Sequence, residues 1–209
     1  MYRDRRDAGE QLADALPRLD NPVVLGLPRG GVPVAAIVAG RLGAPLDVIV
    51  VRKVGVPWHP EVAMGAIGEG GARVTDERTM RWAGVSADEF AAVEARERRT
   101  LDARVTALRR NRPPLSLDGK TALIVDDGIA TGATMRVAVL VARDRGAASV
   151  VVAAPVAAAD TVAMLEREAD AVVVPLVPVS FLAVGVHYGN FSQTTDDEVQ
   201  RLLERDSAP

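Results

Sequence analysis

The segment Leu123-Ile124-Val125-Asp126-Asp127-Gly128-Ile129-Ala130-Thr131-Gly132-Ala133-Thr134-Met135 constrains the fold more than any other stretch of the chain. A short apolar run ends in two adjacent carboxylates. A loop carrying Gly128, Gly132 and the hydroxyls of Thr131 and Thr134 follows, and Met135 to Ala142 then reads as a helix. Strand, loop, helix is the arrangement that aims unpaired backbone N–H groups at an anion, aided by the helix dipole. Glycines let the backbone curl tightly into such a nest. The carboxylates fall where the strand ends, which is the ligand-binding edge of an open α/β sheet.

Those acids would repel a phosphate but accept hydrogen bonds from sugar hydroxyls. One small molecule that needs both is a ribose 5-phosphate group. Other phosphate loops fit less well. A Walker A loop requires a lysine before its Ser/Thr, where this chain has Ala133. The dinucleotide fingerprint G-x-G-x-x-G is absent, and the acids precede the loop instead of following it by about twenty residues. A phosphatase using Asp126 as nucleophile is disfavoured because the acids are adjacent, and no G-x-S-x-G elbow offers a serine route.

The rest of the chain supplies a matching frame. A helix is expected from Asp4 to about Leu19, and a buried strand at Val23 to Leu27. Pro28-Arg29-Gly30-Gly31-Val32-Pro33 then turns into a helix from Val34 to Leu42, closed by Gly43. Further strands are predicted at Leu46–Val51, ending in Arg52-Lys53, and at Thr121–Val125, Ser149–Ala153 and Ala171–Pro175, with helices at Thr134–Arg145 and about Ala158–Glu168. Strands alternating with helices and lacking hairpin signals predict an α/β fold: an open, mainly parallel five-stranded sheet with helices on both faces. Residues 55–112 interrupt the alternation with a glycine-rich hairpin and a long charged helix from Ser86 to Arg110, opened by the capping box Ser86-Ala87-Asp88-Glu89. A hood is expected at about 176–195, and the whole of 1–209 reads as one domain.

Composition narrows the function classes. A net charge of −3 gives no electrostatic case for nucleic acid or an anionic membrane. No apolar run reaches membrane-spanning length and no signal peptide opens the sequence, so a cytoplasmic setting is expected. The absence of cysteine removes both a disulfide frame and thiol chemistry.

Val125-Asp126-Asp127-Gly128-Ile129-Ala130-Thr131-Gly132-Ala133-Thr134 resembles the phosphoribosyl pyrophosphate (PRPP) motif of the type I phosphoribosyltransferases. The resemblance implies transfer of a phosphoribosyl group from PRPP to a nitrogenous small-molecule acceptor, with Mg2+ as cofactor and a homodimer as the assembly. It gives Asp126 and Asp127 to the ribose hydroxyls, and Gly128, Ile129, Ala130, Thr131, Gly132, Ala133 and Thr134 to the 5′-phosphate. Mg2+ would be held through PRPP, near Asp126 and Asp127 but not directly by the protein. Arg29, Gly30 and Gly31 match the family's pyrophosphate loop, often built on a cis peptide, and Arg29 and Lys53 would neutralise the leaving group. Glu61 to Gly68 resembles the loop that closes over the reaction, and Phe181 and Tyr188 stand where an aromatic ring stacks on the base. Enzymes acting on 6-oxopurines carry an acid at the place of Ala130, so the loop is closer to the adenine or orotate type. The alternative on the same fold is a non-catalytic protein that senses PRPP or a nucleotide.

Overall fold

The computed structural model describes residues 1–110 and 112–206; Asn111 and residues 207–209 of the expected domain lie outside the described residues. In chain order the elements are α1 (Arg5–Ala15), β1 (Pro22–Gly26), α2 (Gly31–Leu42), β2 (Leu46–Val48), β3 (Val51–Val56), β4 (His59–Gly68), β5 (Arg73–Thr75), α3 (Glu77–Ala83), α4 (Ala87–Arg109), β6 (Thr121–Val125), α5 (Ala133–Asp144), β7 (Ser149–Ala153), α6 (Ala159–Leu165), β8 (Ala171–Val173) and α7 (Asp196–Asp206). The main sheet has five strands in the order β2-β1-β6-β7-β8, and every neighbouring pair is parallel.

Side-chain alternation along these strands sorts the core into two layers. Val24, Leu123, Val125 and Val151 share one cluster with Leu12 of α1, Val34 and Val38 of α2, and Val199 and Leu203 of α7, and Leu101 and Leu108 of α4 join it from beside β3. Val23, Leu25, Ile124, Val150 and Val152 face the opposite way, onto Met135, Val137 and Val141 of α5 and Leu165 of α6. The period-two pattern of a strand buried on both faces therefore forces helices onto both sides.

The stretch expected as one strand from Leu46 to Val51 divides in two. β2 ends at Val48, the chain bends at Ile49 and Val50, and β3 begins a separate antiparallel sheet of order β3-β4-β5. Arg52 and Lys53 consequently stand near the start of that sheet and not at the end of a parallel strand. Nothing in Leu46–Val51 punctuates the run; the bend is held from outside, where Ile49 N–H still donates to Gly26 O at 3.3 Å and Glu69 N–H to Val50 O at 3.2 Å. α4 follows its predicted span, and its capping box is formed on both sides between Ser86 and Glu89. α3 and α7 were not expected from the sequence. α7 seats Val199 and Leu203 in the core beside α2.

Candidate active site

Strands β1 and β6 are paired in register, Gly26 opposite Val125, so the loops that follow them leave the same edge of the sheet side by side. The Leu27 N–H donates to Val125 O at 2.9 Å and carries the pairing one residue past the strand. The Pro28–Arg29 peptide bond is cis. Two glycines are required because the acid pair lies directly against this turn. A Cβ on Gly30 would sit 2.0 Å from Asp127 Oδ2, and one on Gly31 would sit 2.7 Å from Val125 O and 2.8 Å from the Asp126 Cα. Gly31 N–H closes on Leu27 O at 3.0 Å, whereas the N–H groups of Arg29 and Gly30 find no acceptor among the described residues. Arg29 is half-buried and has no carboxylate partner among the described residues.

The second loop is pinned from behind. Ile129 N–H donates to Val156 O at 2.9 Å, Ala158 N–H to Ile129 O at 3.1 Å, and the Thr161 hydroxyl to Ala130 O. Gly132 adopts φ 75° and ψ −4°, the left-handed turn that begins α5, and Arg136 N–H bonds back to Gly132 O at 2.9 Å. The backbone N–H groups of Ala130, Thr131 and Gly132 have no acceptor among the described residues, and those of Ala133, Thr134 and Met135 are the first-turn donors that a helix cannot satisfy internally. Thr131 is exposed and Thr134 half-buried beside them. Consecutive free donors at the positive end of a helix form an anion site that needs no side-chain charge.

The acid pair has an unusual electrostatic setting. Burial, then the adjacent Asp127 charge, hold the Asp126 carboxyl well above the ordinary aspartate range, although Asp127 N–H donates to Asp126 Oδ1 at 2.9 Å. Burial also raises Asp127, against the pull of the Arg5 guanidinium, whose Nε and Nη2 both reach Asp127 Oδ2 at 2.8 Å. The Tyr188 hydroxyl donates to the Asp127 carbonyl, and burial pushes its own ionisation up. Arg5 escaped the sequence reading; it lies 122 residues from Asp127, and no local pattern links the two.

Other expected site residues are placed as follows. Arg52 is tied to Glu97 of α4. Lys53 is exposed and lines a cavity of about 660 Å³ together with Thr131, Ala133, Arg136 and Met164. The Tyr188 ring is buried, 5.5 Å from the Tyr2 ring and 4.9 Å from that of Phe191, so it braces the acid pair instead of offering a free face. Phe181 is half-buried and stacks on His187 at 5.8 Å. Among the described residues, no group of three His, Cys, Asp or Glu side chains could hold a metal ion, and no helix is long and apolar enough to cross a membrane.

Comparison with known proteins agrees with this geometry. The profile of the phosphoribosyl transferase domain matches residues 6–188. A Mycobacterium tuberculosis protein, found in strains H37Rv and CDC 1551 and provisionally assigned as a phosphoribosyl transferase, is 51% identical over 207 residues, covering 98% of this chain and 47% of its own length. The chain thus spans about half the length of the curated relatives it matches. The crystal structure of TT1426 from Thermus thermophilus is similar across 99% of both chains, with a TM-score of 0.84 and 46% identity. A profile that spans most of the sequence, on a fold whose two glycine loops meet at one sheet edge, places the chain in the phosphoribosyl transferase domain family.

Proposed function

We propose that the protein transfers the phosphoribosyl group of PRPP to a nitrogenous small-molecule acceptor and releases pyrophosphate. The observation that carries this reading is the row of free N–H groups from Ala130 to Met135, lying beside two acids that accept hydrogen bonds. The nest takes the 5′-phosphate, helped by the Thr131 and Thr134 hydroxyls. Asp126 and Asp127 accept from the ribose hydroxyls, and the free N–H groups of Arg29 and Gly30 take the diphosphate. Charge develops on that diphosphate as the bond to C1 breaks, so Arg29 and Lys53 stabilise the transition state more than the ground state. The acceptor nitrogen then attacks a carbon already held in place.

The donor set suits a cation brought in on the substrate. Two carboxylates without a third ligand do not form a protein cage, so Mg2+, which keeps several of its waters, would be held through the oxygens of PRPP with Asp126 and Asp127 nearby. When bound it would add positive charge to the departing diphosphate. Ala130 supplies no acid and its carbonyl is taken by Thr161, which favours acceptors other than 6-oxopurines. Phe181 remains the aromatic side chain proposed to contact the base. A homodimer rests on the family resemblance and a cytoplasmic setting on the cysteine-free sequence, and both belong to the same proposal.

The test is a melting-temperature titration with Mg–PRPP followed by a pyrophosphate-release screen over purines, pyrimidines and small amines. Ligand at about one hundred times its Kd contributes about 2.7 kcal/mol, a shift of roughly 5–10 °C for a chain of this size. No shift would refute the site. A shift without release for any acceptor class would return the reading to a PRPP sensor.

A further inference from the structure

The acid pair is held by more than the sheet. Arg5 reaches it from α1, at the end of an N-terminal segment laced to the hood. Tyr2 N–H donates to His187 O at 2.9 Å, Gly189 N–H to Tyr2 O at 2.8 Å, and Asn190 N–H to Arg3 O at 2.8 Å. The Tyr2 hydroxyl donates to Pro155 O at 2.7 Å, behind the loop that carries the acids. Arg5 is therefore delivered by a fixed segment, not by a loose terminus.

Every part of its guanidinium has a task. Nε and Nη2 hold Asp127 Oδ2, Nη1 donates to Ser192 O at 2.6 Å, and Cζ lies over the Phe191 ring, 4.1 Å from its centre. Its side chain is only 12% exposed. The oxygen it grips is the one wedged against Gly30. Arg5 thus fixes which carboxylate oxygen faces the Pro28–Gly31 turn, leaving the other outside its grip. Arginine suits the task because its rigid fork can bond a carboxylate and a carbonyl together while stacking on a ring. The family profile begins at residue 6, so this contribution comes from just outside it.

We propose that Arg5 is a positioning residue of the ribose site, holding Asp127 so that its second oxygen is presented to a sugar hydroxyl and tying hood and N-terminal segment to that geometry. This rests on reading the acid pair as the ribose site. The charged and titratable groups facing Asp127 are Arg5 from α1, Asp126 beside it, and Tyr188 from the hood with Tyr2 behind; the turn packed against it at Gly30 also carries Arg29.

The experiment measures Mg–PRPP affinity against pH for wild type, Arg5→Ala and Arg5→Lys. Arg5→Ala is expected to weaken binding by about 10- to 100-fold, the loss of charge-assisted bonds, and to move the acid limb of binding up by about one pH unit. Guanidinium ion added below denaturing concentration should restore affinity, while sodium chloride at equal ionic strength should not. Arg5→Lys keeps the charge without the fork and should fall between the two, and it decides the matter if the alanine variant does not fold. Unchanged affinity and acid limb in the folded variants, or a loss indifferent to guanidinium, overturns the role of Arg5 alone. A wild-type protein that does not bind Mg–PRPP overturns the ribose site itself.

Discussion

Asp126 is a side chain that is costly to the fold at the place proposed for the ribose hydroxyls. Its pKa is raised by burial and by Asp127, so the folded protein holds this proton more tightly than the unfolded chain does. Stability from this group is therefore lost as pH rises from the ordinary aspartate range through the raised value. Asp126→Asn removes that penalty while keeping an oxygen for the Asp127 N–H. The variant should melt above wild type at about pH 8 and level with it near pH 4, and should lose Mg–PRPP binding; melting scans at both pH values decide, and a lower melting temperature at the higher pH would contradict the sign. Thr131 makes the complementary case. It is exposed and bonded to nothing among the described residues, so Thr131→Ala should leave stability within about 0.5 kcal/mol. Its lost hydrogen bond to a charged phosphate should weaken Mg–PRPP about 10- to 100-fold by calorimetry. Equal affinity in wild type and variant would remove Thr131 from the phosphate site.

Among the elements, the join between β2 and β3 separates what the sequence could and could not reveal. The five parallel strands, both glycine turns and the capped α4 are local patterns of apolar period, turn chemistry and capping, and each is readable in a short window. The break after Val48 is not local. It is stabilised by a buried network in which Arg109 of α4 donates to Asp47 Oδ1 at 2.8 Å, to Val48 O at 2.8 Å and to Glu69 at 3.1 Å. Asp47 also accepts from Leu115 N–H at 3.0 Å and from Arg145 Nη2 at 3.3 Å. Arg5 and the Tyr188 hydroxyl escaped notice for the same reason, since both act across long stretches of the sequence. Removing Arg109 leaves two carboxylates with only Arg145 to share. Arg109→Met should cost about 3–5 kcal/mol in urea unfolding, with part recovered by adding Asp47→Asn. A loss below about 1 kcal/mol would show that the network does not hold this join.

Across the whole molecule, the proposed chemistry depends on two sheets built by different rules. The parallel sheet brings both glycine loops to one edge through strand register, and the contacts behind the second loop hold it there. The antiparallel sheet is docked at its base, where a Cβ on Gly68 would meet Val137 and Val141 of α5 at 2.8 and 2.6 Å. Lys53 and Thr131 line the same cavity of about 660 Å³. Arg52 on the preceding residue is already paired with Glu97, while Lys53 has no carboxylate partner among the described residues. A cation not committed to the fold is free to answer charge that appears only as the diphosphate departs, and such a contact lowers the barrier more than it tightens binding. Lys53→Gln keeps a long polar side chain without the charge. It should slow pyrophosphate release at saturating Mg–PRPP by about 10²–10³-fold, with a smaller change in Kd and an unaltered melting temperature. Arg52→Gln should instead lose stability through Glu97 and keep most of its turnover. If the two variants lost turnover equally, the cavity-facing position of Lys53 would have no bearing on the leaving group, and its charge would have to be answered from another residue.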